Sequence, residues 1–86
     1  MIDLAKSRGV YVITNKLTGA RYVGSTTVSF TRRWAIHRVR LAASRGNVNL
    51  RKAWHTDGES ALEFSVLEVV NDSCNILARE QYWMGV

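Results

Sequence analysis

Residues 9–14 alternate, with Tyr11 and Ile13 on one face and Val10, Val12 and Thr14 on the other, the period-two pattern of a half-buried strand. Asn15-Lys16-Leu17-Thr18-Gly19 is turn chemistry, and residues 20–25 read as the returning strand of a hairpin. Pairing Asn15 with Ala20 across a four-residue loop sets Tyr11 opposite Gly24. Tyr22 is then its diagonal neighbour on the same face, roughly 7 to 8 Å away. A five-residue loop would instead send the two phenols to opposite faces.

Ser29 is placed to cap a helix over 29–45 that is apolar at Phe30, Trp34, Ile36, Val39 and Leu41 and closes near Gly46. A shorter helix over 49–56 carries Leu50, Ala53 and Trp54, with Gly58 as its stop. Residues 61–70 form the strongest strand pattern, and Asp72 or Ser73 is the expected cap of a last helix running through Met84. The order ββααβα, without repeat or linker, predicts a single α+β domain over 1–86: a small three-stranded sheet, antiparallel or mixed, flanked by three helices.

Composition narrows the setting. With 47% hydrophobic residues, three Trp and no Pro, the chain can build one core without disulfides or structural metal. The single Cys74 has no partner for an internal bridge and no zinc spacing around it, so it reads as a packed thiol. No window has the length of a spanning apolar helix, and Met1-Ile2-Asp3-Leu4 does not start a signal peptide. A reducing cytoplasm, bacterial or that of a phage-infected host, is the expected location.

Charge is unevenly spread. Residues 4–56 hold eleven Lys or Arg and no acid, so the first 56 residues, with Asp3, carry +10. The last 30 carry one Arg against six acids, or −5. Nine of the twelve cations are Arg, whose planar guanidinium matches phosphate bidentately. An acid-free, Arg-rich half is the footprint of a polyanion-binding face, and Arg21, Arg32, Arg38, Arg40, Arg45, Arg51 and Lys52 are its candidate DNA contacts.

Five residues carry the candidate chemistry. Tyr11 and Tyr22 each stand near a glycine, in Gly9-Val10-Tyr11 and Tyr22-Val23-Gly24, and Gly24 leaves bare backbone opposite Tyr11, the room a phosphate backbone needs. Arg33 and His37 are one helical turn apart and face a common phosphate, beside a core stripe of Phe30, Trp34 and Leu41. His55 reads as surface. Glu80 sits among Ile76, Leu77, Trp83 and Met84 on one helical stripe, where an unpaired carboxylate is costly. It is therefore either a salt-bridge partner of Arg33 or Arg79, or a ligand for a hard cation such as Mg²⁺ or Mn²⁺, which is commonly held by one carboxylate with phosphate oxygens and water.

Those blocks in that order, Gly9-Val10-Tyr11, Tyr22-Val23-Gly24, Arg33-Trp34-Ala35-Ile36-His37 and Arg79-Glu80-Gln81-Tyr82-Trp83, resemble the GIY-YIG nuclease domain over about residues 8–84. The resemblance is greatest to the catalytic domains of phage and intron-encoded homing endonucleases. It implies divalent-metal-dependent hydrolysis of a DNA phosphodiester, with catalytic roles on Tyr11, Tyr22, Arg33, His37 and Glu80 and the metal on Glu80. The general base is left open among Tyr11, whose proton nearby cations would help release, Tyr22 and His37. The chain departs from homing members at Gly46-Asn47-Val48-Asn49, where they often carry a second His, and a late Asn of the family would fall past Val86. The resemblance thus also implies a fragment or truncation of a longer protein, with a C-terminal DNA-binding domain elsewhere. A non-catalytic nucleic-acid-binding module of the same fold is the alternative, and a protein-interaction domain a third reading.

Overall fold

A computed structural model describes residues 3–72 and 74–85. Its elements are β1 (Gly9–Asn15), β2 (Arg21–Thr26), α1 (Phe30–Ala42), α2 (Val48–Asp57), a 3₁₀ turn (Glu59–Ala61), β3 (Leu62–Val69) and α3 (Ile76–Met84). The sheet has the order β2-β1-β3, and β1 pairs antiparallel with both neighbours. The ββααβα, α+β architecture expected above is therefore present in its fully antiparallel form.

The hairpin takes the four-residue loop. Asn15 N–H donates to the Ala20 carbonyl at 2.8 Å, and Asn15 Oδ1 accepts from Leu17 N–H at 2.9 Å, an Asx turn that starts the reversal. The register follows: Tyr11 faces Gly24 and Ile13 faces Tyr22, so both phenols share a face. Because β1 is central, it is buried on both sides rather than one: Val10 and Val12 are as enclosed as Tyr11 and Ile13. Tyr11 and Ile13 join Phe30, Leu41, Leu50 and Leu62 in the core under α1 and α2, while α3 packs against β1 and β2. Full burial of a side chain such as Phe30 contributes roughly 1.5 to 3 kcal/mol.

Helix ends depart from expectation where backbone geometry overrules composition. Ser29 caps α1 as expected, its Oγ accepting from Arg32 N–H at 3.2 Å, which contributes about 1 kcal/mol. The helix ends at Ala42 rather than 45, because Ser44 turns left-handed (φ 60°) and Arg45 N–H returns to the Arg40 carbonyl. At α3 the cap position belongs to Asn75, and Asp72 instead accepts from Cys74 N–H at 3.0 Å, closing a turn one step before the helix. Ser73 lies outside the described residues. Cys74 is exposed in that turn, not packed, because the core-facing run of α3 begins only at Ile76. Among the described residues no helix is long and apolar enough to cross a membrane.

Candidate active site

The first glycine block is explained by crowding. At Gly9 (φ 147°) a Cβ would strike the Glu68 carbonyl of β3, next to the register shift between Val10 and Tyr11. The second works differently from the sequence reading. A Cβ at Gly24 would lie 2.6 Å from Tyr11 Oη and 2.7 Å from its Cζ, so the bare backbone there is filled by the Tyr11 ring itself and not kept open for a phosphate. Gly24 lets the phenol lie across β2 and reach α1.

There it meets the α1 pair. Tyr11 Oη is 2.6 Å from His37 Nε2, with both residues buried, and Arg33 Nε donates to the same oxygen at 3.4 Å. The Tyr22 ring stands edge-on to His37, centroids 5.9 Å apart, with Tyr11 at 5.7 Å from the same imidazole. One helical turn thus delivers Arg33 and His37 to the phenol couple, as the spacing predicts. They are not equivalent, however. His37 is one of the buried residues of α1 with Phe30 and Leu41, whereas Arg33 is half-buried at the rim.

Burial sets the protonation of the pair. It lowers His37 from 6.5 to about 4, assisted by the positive charges of Arg33 and Arg40, so the imidazole is neutral at pH 7. Burial also raises Tyr11. The hydrogen bond and charge of Arg33 pull the other way and do not overcome it, while Tyr22 and the Glu80 charge push it further up. The expectation that cations ease the proton from Tyr11 is therefore corrected: desolvation wins, and the phenol stays protonated beside His37.

Glu80 is half-buried on α3, close enough for its charge to act on Tyr11. Among the described residues it has no ion pair and no side-chain hydrogen bond. Neither expected cation partner takes it. Arg79 donates from Nε to Glu68 Oε1 at 2.7 Å, Trp83 Nε1 donates to the same oxygen at 3.0 Å, and both hold the Glu68 carboxyl below its ordinary range, Arg79 foremost. The apolar stripe around Glu80 is also only half internal: Ile76 is buried and Trp83 half-buried, but Leu77 and Met84 are exposed because α3 covers the sheet with one narrow edge. A lone, unpaired carboxylate at the rim suits a hard divalent cation completed by phosphate and water. An all-protein cage is not built, since no group of three His, Cys, Asp or Glu converges among the described residues.

The GIY-YIG catalytic domain model matches residues 7–86. The chain belongs to the GIY-YIG family. Among solved structures it is similar to a glutamate-to-alanine mutant of the catalytic domain of the intron endonuclease I-TevI, with 28% identity over 92% of this chain and 81% of that one and a TM-score of 0.83. It is likewise similar to the catalytic domain of the homing endonuclease I-TevI, with 29% identity over 91% of this chain and 85% of that one and a TM-score of 0.81. No curated protein matches significantly. Family and likeness together make this a DNA endonuclease domain.

The candidate DNA contacts of this GIY-YIG domain are spread over β2, α1, the α1–α2 turn and α2. Arg21, Arg32, Arg40, Arg45 and Lys52 are exposed and free to meet phosphates. Arg38 is exposed too, its guanidinium 5.7 Å from the centre of the Phe64 ring. Arg51 departs from the group: its Nη1 donates to the Ser44 carbonyl at 3.2 Å and its Nε is enclosed, so it braces the α1–α2 turn. His55, read as surface, is exposed beside Ser44 Oγ at 3.0 Å. Sequence reasoning missed Glu68, the clamp that fixes α3 beside Glu80. Its signal was a single acid in the otherwise apolar run Val66-Leu67-Glu68-Val69.

Proposed function

We propose that the domain hydrolyses a DNA phosphodiester with a divalent cation, Mg²⁺ or Mn²⁺, held by Glu80, and that Tyr11, Tyr22, Arg33 and His37 complete the site. The observation that carries this reading is the Tyr11–His37 contact of 2.6 Å with Arg33 on the same oxygen and an unpaired Glu80 alongside. When bound, the cation supplies charge neutralisation at the cut phosphate and at the leaving oxygen.

The chain's own residues account for the proton. Water is the nucleophile, and a neutral phenol accepts its proton only by passing its own onward at the same time. Tyr11 Oη lies 2.6 Å from His37 Nε2, and in the tautomer that leaves Nε2 free to accept, the relay runs from water to Tyr11 Oη and from Tyr11 to His37. Placing a proton on an imidazole with a value of about 4 at pH 7 costs roughly 4 kcal/mol, which the growing negative charge on the phosphate offsets. Arg33, half-buried beside Tyr11, donates to the non-bridging oxygens as that charge develops. Tyr22 packs the second side of the imidazole and positions water with Tyr11.

The exposed cations Arg32, Arg38, Arg40, Arg45 and Lys52 bind the DNA backbone without reading sequence, so the main target choice falls to a separate C-terminal DNA-binding domain of a longer protein. The exposed free thiol of Cys74 suits a reducing cytoplasm. Supercoiled plasmid incubated with the domain tests the reading. Nicking in Mg²⁺ or Mn²⁺ that stops with chelator is expected, and binding without nicking in either ion would assign a non-catalytic module instead.

A further inference from the structure

We propose that the cavity beside Tyr22, where the hairpin turn meets the start of α2, receives one unstacked purine base of the DNA strand next to the cut phosphate. The inference rests on the endonuclease reading. The cavity holds about 160 Å³ and is lined by Tyr22 from the candidate active site, by Leu50, Ala53 and Leu62 as an apolar floor, and by Arg21 and Asn49 at its rim. That is room for one flat heterocycle and is about half the lower bound of common ligand sites.

Its chemistry selects a base over a phosphate. The N–H groups of Asn49 and Leu50, which would make an anion site of the α2 start, already donate to Asn47 Oδ1 at 2.9 and 3.2 Å. What remains free at the rim is side-chain recognition. Among the described residues the exposed Asn49 amide has no hydrogen-bond partner and the exposed Arg21 guanidinium no ion pair. An amide presents a donor and an acceptor to adenine N7 and N6, and a guanidinium presents two donors to guanine O6 and N7, so the pair is suited to purine edges. Tyr22 offers a ring for stacking over an aliphatic floor.

Position supplies the link to cleavage. Tyr22 stands edge-on to the His37 imidazole at 5.9 Å and also lines the cavity, so a phosphate at the Tyr11–Arg33–Glu80 cluster and a base in the cavity belong to neighbouring parts of one strand. Taking a base out of the stack costs a few kcal/mol, least where pairing is weak.

Two measurements test the proposal. The first is cleavage of DNA randomised around the cut, by the wild type and by Asn49→Ala and Arg21→Ala, in Mg²⁺. Asn49→Ala is expected to lose about tenfold in preference for a purine at one position. The second places 2-aminopurine at each position in turn and follows fluorescence on binding in chelator. A change confined to one position, lost in Asn49→Ala, is expected. A cleavage profile unaltered by both substitutions, or fluorescence that responds at no particular position, would overturn the base site. Nicking without the fluorescence response sinks this inference and leaves the endonuclease reading standing, whereas binding without nicking sinks both.

Discussion

Lowering the pH from 7 to 5 should destabilise the domain through His37. In the unfolded chain its imidazole titrates near 6.5, and in the fold burial and the Arg33 and Arg40 charges hold it at about 4. Above pH 6.5 both states leave the ring neutral, and its burial carries no protonation penalty. As pH falls through 6.5 the unfolded chain takes up a proton that the folded state refuses, so stability drops until the folded value is reached. Each unit of difference is worth about 1.36 kcal/mol, which gives about 3 kcal/mol for the whole window and about 2 kcal/mol between pH 7 and pH 5. Against a typical total of about 5 to 15 kcal/mol, that is a large share for a small domain. Urea unfolding at half-unit steps of pH, with the wild type beside His37→Gln, reads the effect directly. Gln keeps an acceptor for the Tyr11 hydroxyl and does not titrate, so its slope between pH 7 and 5 should nearly vanish. A wild type flat across that window, or a His37→Gln variant with the same slope, would refute a neutral, buried imidazole.

Other consequences follow from the same geometry. Gly24→Ala places a methyl group 2.6 Å from Tyr11 Oη, so the phenol must move off His37. Denaturant midpoints should show a loss of about 1 to 3 kcal/mol, together with near-complete loss of nicking. Tyr11→Phe removes the relay and leaves the buried His37 Nε2 without its partner, so nicking should fall by about 10² to 10⁴-fold and stability by about 1 to 3 kcal/mol; a rate near the wild type's would leave His37 or Tyr22 to act on water directly. DNA affinity, measured by anisotropy against salt, should lose about 0.9 log units per log of salt for each phosphate neutralised, and Arg32→Ala or Arg45→Ala should each flatten that slope by about one such contact.

The fold is largely legible in the pattern of the chain. The apolar β-forming run at residues 10–13 and the Asn15–Gly19 turn set the hairpin, though the expected half-buried alternation gives way to a central strand buried on both faces, and the Ser29 cap with Phe30 and Leu41 sets α1. The candidate site is legible as residue types, because i, i+4 spacing brings Arg33 and His37 to one phenol whatever the details elsewhere. What the chain does not display is who occupies space and who pairs with whom. Gly24 looks like an opening until the Tyr11 ring is seen to fill it. Arg79 neighbours Glu80 in sequence yet bonds Glu68, eleven residues back on β3, a choice made by the packing of α3 on the sheet. The sign of the Tyr11 shift is likewise a competition between burial and one guanidinium, and residue order alone does not weigh them. Leu77 and Met84 belong to an apolar stripe by spacing, but the sheet is too small for α3 to bury the whole of it.

The central claim is that a carboxylate from α3 meets the phenol, imidazole and guanidinium around one phosphate. Supercoiled plasmid cleavage in Mg²⁺ by the wild type and by Glu80→Ala, with DNA binding measured in parallel, tests it most directly. The account predicts that the variant binds DNA about as tightly as the wild type and does not nick it; a Glu80→Ala domain that nicks as fast as the wild type would contradict it.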